Sequence, residues 1–192
     1  MSGQSIRTFI ALEISDGVKE QISQIQEKFK QTESLKAKWV AKENVHLTLK
    51  FLGDTQLKHV EKIKDKLKEC LQNEKAIDCN LSNIGVFPNE RFTRVIWVSI
   101  KGGDAQIIDM AKKLDKTLCK LGFKKEKREF KTHITICRPK QILEYNQFKA
   151  TLDKINRDFQ PKSFSINKVS FFESKLTPQG PIYTSLLDVI LQ

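Results

Sequence analysis

His46-Leu47-Thr48-Leu49 and His133-Ile134-Thr135-Ile136 are the two stretches on which the reading of this chain turns. Each sets a histidine and a threonine one apolar residue apart, with a further apolar residue behind. Each lies in a run rich in strand formers, residues 45–52 and 130–137. In a strand, alternate side chains share a face. His46 and Thr48 then point one way while Leu47 and Leu49 enter a core; His133 and Thr135 do the same over Ile134 and Ile136.

Working outward, each motif strand has an amphipathic helix before it and another after it. Asp16 is expected to cap the first helix, which buries Val18, Ile22, Ile25 and Phe29 at helical spacing. The second covers residues 56–71, with Val60, Ile63, Leu67 and Leu71 on one face. The third opens at Gly103-Asp104, buries Ile107, Ile108, Ala111, Leu114 and Leu118, and ends at Gly122. The fourth spans residues 142–159, with Phe148, Leu152, Ile155 and Phe159 inward. Further strands are expected at residues 7–13, 37–40, 77–87, 93–100, 164–172 and 182–191. Gly53-Asp54 and Arg138-Pro139 stop the two motif strands in this reading. Strands come in pairs between helices and do not alternate as in a doubly wound sheet. The class is therefore α+β. The helix–strand–helix echo around the two motifs predicts two similar lobes facing each other. No linker or low-complexity segment parts them, so residues 1–192 read as one bilobal domain.

Composition bounds the function. The chain has 192 residues, 39% hydrophobic and 30% charged, enough for one sizeable core under a busy surface. Its formal net charge of +11 favours a polyanionic partner such as RNA, DNA or a phosphorylated substrate. Cys70, Cys79, Cys119 and Cys137 show no C-x-x-C spacing and read as free, mostly buried thiols in a reducing interior. No secretion signal and no membrane-length apolar run stand in the sequence, so a cytoplasmic protein is expected.

Only three histidines exist, and two share the motif. Two imidazoles and two hydroxyls meeting across a cleft suit a phosphodiester. One neutral imidazole accepts a proton from water, while the other, protonated, gives one to the departing oxygen. The hydroxyls hold the non-bridging oxygens. In-line displacement sets attacking and leaving oxygens on opposite sides of phosphorus, which opposed lobes provide. Arg7, Lys50, Lys131 and Arg138 lie near enough in sequence to bind phosphate, and the basic run from Lys124 to Arg128 reads either as a guide for RNA or as a charged loop. His59, on the second helix, reads as a surface or helix-flank residue.

The sequence resembles the two-histidine phosphoesterases, and within them the RNA 2',3'-cyclic phosphodiesterases once called 2'-5' RNA ligases. The resemblance covers almost the whole chain: Arg7-Thr8-Phe9-Ile10-Ala11, Trp39-Val40, the two motifs with their flanks, Gly85-Val86-Phe87-Pro88, Val95-Ile96-Trp97, Phe171-Phe172-Glu173-Ser174 and Gly180-Pro181-Ile182-Tyr183. It implies a bilobal fold of two pseudo-symmetric antiparallel-sheet lobes with outer helices and a central cleft. It also implies opening of a terminal 2',3'-cyclic phosphate to a 2'-phosphate without metal or cofactor. His46 would be the general acid and His133 the general base, although near-symmetric lobes leave the opposite assignment open. Phe51 and Arg138, each five residues after a motif histidine, would sandwich the terminal base. Strict alternation puts both on the wrong face, so a bend is required at each strand end, near Gly53 and Pro139. Thr132 stands where the family commonly has proline.

Three alternatives stand beside hydrolysis: 2'-5' ligation in the same cleft, a non-catalytic module that binds RNA ends, and a metallophosphoesterase. Clustered Asp and His ligands are missing for the last. The expected partners are RNA with cyclic phosphate ends or cyclic nucleotides, with no membrane and no obligate protein partner. A monomer suffices, because one chain builds both walls of the cleft.

Overall fold

The structure, a computed structural model, describes residues 4–192. Among these, nine strands form two antiparallel sheets, and four α-helices cover them. The first sheet has the order β3-β1-β8-β9, from His46–Gln56, Ser5–Glu13, Lys168–Thr177 and Gly180–Ile190. The second has the order β2-β6-β5-β4-β7, from Leu35–Trp39, His133–Ile142, Val95–Lys101, Ile77–Phe87 and Ser163–Ile166. His46 thus opens an edge strand of one sheet and His133 opens a strand of the other, and β3 and β6 pack together where the sheets meet.

The helices are α1 (Asp16–Lys30), α2 (Leu57–Leu71), α3 (Asp104–Cys119) and α4 (Tyr145–Asp158). Their inward stripes follow the expected spacing except at Ile108, which is only partly buried while Met110 is buried instead, and at Phe159, which lies just past α4 and is partly buried. Their packing partners, however, are exchanged. Helix α1 precedes β3 in the chain, yet packs on β2, β6 and α4 of the second sheet. Helix α3 precedes β6, yet packs chiefly on β3 and α2 of the first, touching the second only at β4. Each motif strand is therefore backed by the helix that leads into its counterpart. One continuous buried cluster results, running from Ile10 and Leu47 to Ile136 and Phe148.

Local expectations need four corrections. The N-cap of α1 is Ser15, whose carbonyl takes the Val18 and Lys19 amides, and Asp16 is the first helical residue. Gly53 does not stop β3: it adopts φ +71°, a value that favours glycine, and the strand runs on to Gln56 beside β1. Pro139 does not stop β6, which continues to Ile142. It pairs with Ala37 on the short edge strand β2, next to a bulge, where a missing N–H is tolerated. The expected single strand at 164–172 is two strands, because the chain leaves the second sheet at Ile166 and enters the first at Lys168.

All four cysteines are free. Burial pushes the Cys79 and Cys137 thiols up to about 12, which leaves both inert. No helix among the described residues is long and apolar enough to cross a membrane.

Candidate active site

The bends that turn Phe51 and Arg138 toward the histidines lie inside the strands. Along β3, Ala11 faces Thr48 and Ile10 faces Lys50, so Leu49 is an extra residue. Along β6, Trp97 faces Thr135 and Ile96 faces Cys137, so Ile136 is extra. A bulge shifts the alternation by one. Beyond it Lys50 and Cys137 turn inward, at 7% and 0% exposure, while Phe51 and Arg138 emerge on the histidine face. The same irregularity at equivalent places in both motifs produces one wall with His46, Thr48 and Phe51, and another with His133, Thr135 and Arg138.

Lys50 therefore is not a phosphate-binding cation. Its ammonium pairs with Asp115 on α3 and donates to the Lys124 carbonyl. Burial pushes the Asp115 carboxyl up, but Lys50 and the Glu126 amide outweigh it and hold it below the usual carboxylate value. The other expected cations, Arg7, Lys131 and Arg138, are exposed. Exposed Arg7 lies on the same face of β1 as Phe9, and its charge reaches Tyr183, as does that of Arg138. Lys131 holds its ammonium 5.9 Å above the Phe87 ring. His59 sits half-buried on α2, away from both motifs.

Both imidazoles are anchored from behind in the same way. His46 Nδ1 lies 2.7 Å from the Asn44 carbonyl, and His133 Nδ1 lies 2.7 Å from the Lys131 carbonyl. A carbonyl only accepts, so Nδ1 carries a hydrogen in each ring. That leaves Nε2 as the atom that takes or gives a proton. His46 Nε2 is 3.0 Å from Thr48 Oγ1, whereas His133, among the described residues, makes only its Nδ1 bond.

Aromatic rings hold the imidazoles in place. His46 packs 5.0 Å from Phe9 and edge-on to Tyr183 at 5.4 Å. His133 packs edge-on to Phe87 at 5.4 Å and Trp97 at 6.2 Å. These rings remove water from one side of each histidine. Burial accordingly holds both imidazoles below the usual histidine value, against the raising effect of the carbonyl bonds. The charge of His133 lowers His46 further, and that of Arg138 lowers His133. The strands that carry the two rings, β3 and β6, pack against each other where the sheets meet. Among the described residues no three His, Cys, Asp or Glu side chains gather as metal ligands would.

The model of the LigT-like phosphoesterases matches residues 12–97 and again residues 99–183, one motif in each span. The chain belongs to the LigT-like phosphoesterase family. An RNA 2',3'-cyclic phosphodiesterase of Methanocaldococcus jannaschii is 37% identical over 181 residues, covering 93% of this chain and 96% of that one. One of Aquifex aeolicus is 33% identical over 186 residues, covering 93% and 94%. The fold is that of a Thermus thermophilus protein known from its crystal structure, with TM-score 0.80, 22% identity and coverage of 97% of this chain and 98% of that one. It is also that of Escherichia coli LigT crystallised with 3'-AMP, with TM-score 0.76, 21% identity and coverage of 98% and 99%.

In this LigT-like phosphoesterase two residues that support the site, Tyr183 and Gln26, do not belong to the motifs. Tyr183 reaches His46 because the start of β9 folds over the turn before β3, where Asn44 Nδ2 donates to the Pro181 carbonyl at 2.9 Å. Gln26 of α1 is 5% exposed, and its Nε2 donates to the carbonyls of Val40 at 2.8 Å and Ile136 at 2.9 Å. It thereby satisfies the backbone of the second bulge. One signal was present: Gln26 stands four residues after Ile22, a polar residue on an apolar stripe.

Proposed function

We propose that the protein hydrolyses the 2',3'-cyclic phosphate at an RNA 3' end to a 2'-phosphate, with two histidines and no metal. The observation that carries the reading is the matched pair of Nδ1–carbonyl bonds, which leaves an Nε2 free for proton transfer on each wall. The names of the relatives support the substrate class.

His133 is the base. Its Nε2 is unencumbered, and burial together with Arg138 keeps it neutral at pH 7. It takes a proton from water as the water oxygen attacks phosphorus. His46 is the acid. The arriving phosphate anion favours its protonated form, and its Nε2–H passes to O3' as the P–O3' bond breaks. A 2'-phosphate and a 3'-hydroxyl leave, and solvent returns the proton balance. The Thr48 and Thr135 hydroxyls hold non-bridging oxygens; Thr48 exchanges its bond with His46 for one to substrate. The Phe51 ring, 65% exposed, and the Arg138 guanidinium flank the terminal base without reading its identity.

The test is hydrolysis of an RNA with a cyclic phosphate end, and of 2',3'-cyclic AMP, in excess EDTA. Turnover should persist in the chelator, fall about 10²- to 10⁴-fold in either His46→Ala or His133→Ala, and give a 2'-phosphate by phosphorus NMR. Activity that EDTA abolishes and a divalent ion restores would refute the metal-free mechanism. Binding without turnover would make the cleft a binding module.

A further inference from the structure

Strands β2 and β6 carry a basic ladder that the chemistry above does not use. Lys38 on β2 pairs across the sheet with Arg138, and Lys36 pairs with Gln141. Lys140 is the extra residue of the bulge between them. Lys36, Lys38, Arg138 and Lys140 are all exposed. Lys36 and Lys38, two apart, share the face on which Arg138 and His133 open, while Trp39 turns the other way beneath Lys30 of α1.

Two features set this ladder apart from an ordinary solvated surface. Neither strand contains an acidic residue, and Glu33 and Glu144, nearest in sequence, lie beyond the strand ends. None of the four cations stands among the ion pairs of the described residues, whereas neighbouring Lys30, Lys42 and Lys149 each hold a glutamate. Lys38 opposite Arg138 is moreover a like-charge cross-strand pair, an arrangement that destabilises a sheet unless an anion lies between the charges. Lysines on an edge strand also discourage sheet-to-sheet association. That role does not explain why two cations are set facing each other within the β2–β6 pair.

We infer that this ladder is the track for the RNA body, and that Lys38 and Lys36 bind the phosphates of the nucleotides immediately 5' of the terminal one. The inference rests on the proposed cleavage of an RNA end, and it extends that reading from a terminal nucleotide to a single strand of several. With the last base between Phe51 and Arg138, the strand leaves the cleft past Arg138 and meets Lys38 first. Two ammonium groups on alternate residues of one strand stand about 6.6 Å apart, a repeat suited to successive phosphates of an extended chain. The contacts reach phosphate alone, so the track is blind to base sequence.

The experiment compares 2',3'-cyclic AMP with a six-nucleotide RNA ending in a cyclic phosphate. The wild type is set against Lys36→Gln/Lys38→Gln over a range of salt. Anisotropy of a fluorescent RNA of the same length ending in a 3'-phosphate measures binding in parallel. For the wild type, kcat/KM should be higher on the hexamer and steeply salt-dependent. The double variant should lose at least about fivefold on the hexamer, and its log–log salt slope should be shallower by about 1.4, the value for two phosphates on a single strand. Its rate on cyclic AMP should not change, which also reports an intact fold. An unchanged salt slope and unchanged affinity would leave edge protection as the role of the lysines and overturn the track. If the wild type cleaves neither substrate, the catalytic reading fails. The anisotropy slopes then still decide whether the lysines bind RNA.

Discussion

Gly85→Ala tests how the second histidine is held. Gly85 pairs with Trp97 across β4 and β5, and the indole lies over it. A Cβ at Gly85 would stand 2.4 Å from Trp97 Cζ2, 2.7 Å from Cη2 and 2.9 Å from Cε2. Ordinary contact begins at 3.4 Å, so the ring must retreat by about 1 Å (3.4 less 2.4). It cannot rotate aside freely, because Phe87 stacks on it at 4.7 Å. Both rings touch His133 edge-on, so the displacement passes to the imidazole. Overpacking of this kind costs about 2 kcal/mol, or about 4–8 °C in Tm for a chain of this size. A misplacement of about 1 Å at a catalytic group costs about 10²-fold in rate. The assay is kcat/KM on 2',3'-cyclic AMP together with a thermal melt, for Gly85→Ala alone and in a Trp97→Leu background. The alanine should be harmful alone and nearly neutral where the indole is gone. A loss under threefold with Tm unchanged, or an equal penalty in both backgrounds, would refute the idea that Gly85 seats the ring that positions His133.

The two depressed imidazoles set the pH dependence. The kcat/KM profile, which reports free enzyme, should peak below about pH 6.5, and the kcat profile should lie to its alkaline side because bound phosphate favours the protonated rings; coincident profiles would count against this. Histidines held below their ordinary value also shape stability, which should be full above about pH 6.5 and decline as pH falls through the folded-state values; chemical denaturation from pH 7.5 to 4.5 should show that decline flattened in His46→Ala/His133→Ala. Lys50→Met should lower stability by about 3 kcal/mol, as expected when one partner of a buried pair is removed, and leave the salt slope of RNA binding unaltered. Gln26→Leu leaves the Val40 carbonyl without a donor and strips one of two donors from Ile136, which keeps the Val40 amide; it should cost about 1–3 kcal/mol in urea denaturation, with a fall in activity because the second bulge loosens.

The histidine and threonine placements were legible because alternation is local: two residues apart means one face. The inward turn of Lys50 was not. Its direction depends on a bulge at Leu49; Leu47 and Leu49 fit an unbroken strand, and Leu52, of opposite parity, was the one local sign of a break. Its partner Asp115 is a distant residue of another helix. Arg138-Pro139 misled for a related reason, since a proline normally closes a strand and the edge pairing that tolerates it belongs to β2. The break at Asn167 carries neither glycine nor proline, so only the separate partners of β7 and β8 mark it. Periodicity chose the buried stripe of α1 correctly but carries no information on which sheet receives it.

That last point has a consequence for how the molecule holds its cleft. Each half of the chain reaches over and roofs the other, like hands clasped with crossed fingers. Both sheets also draw strands from both halves, so a polypeptide severed after β5, at Gly102, would yield two fragments, neither holding a whole sheet and each carrying a helix that packs on its sibling's motif strand. Alone, neither should be monomeric and ordered; mixed, they should restore each other. The gap between the imidazoles is then fixed by mutual embrace rather than by a hinge, and the walls have no cheap way to part.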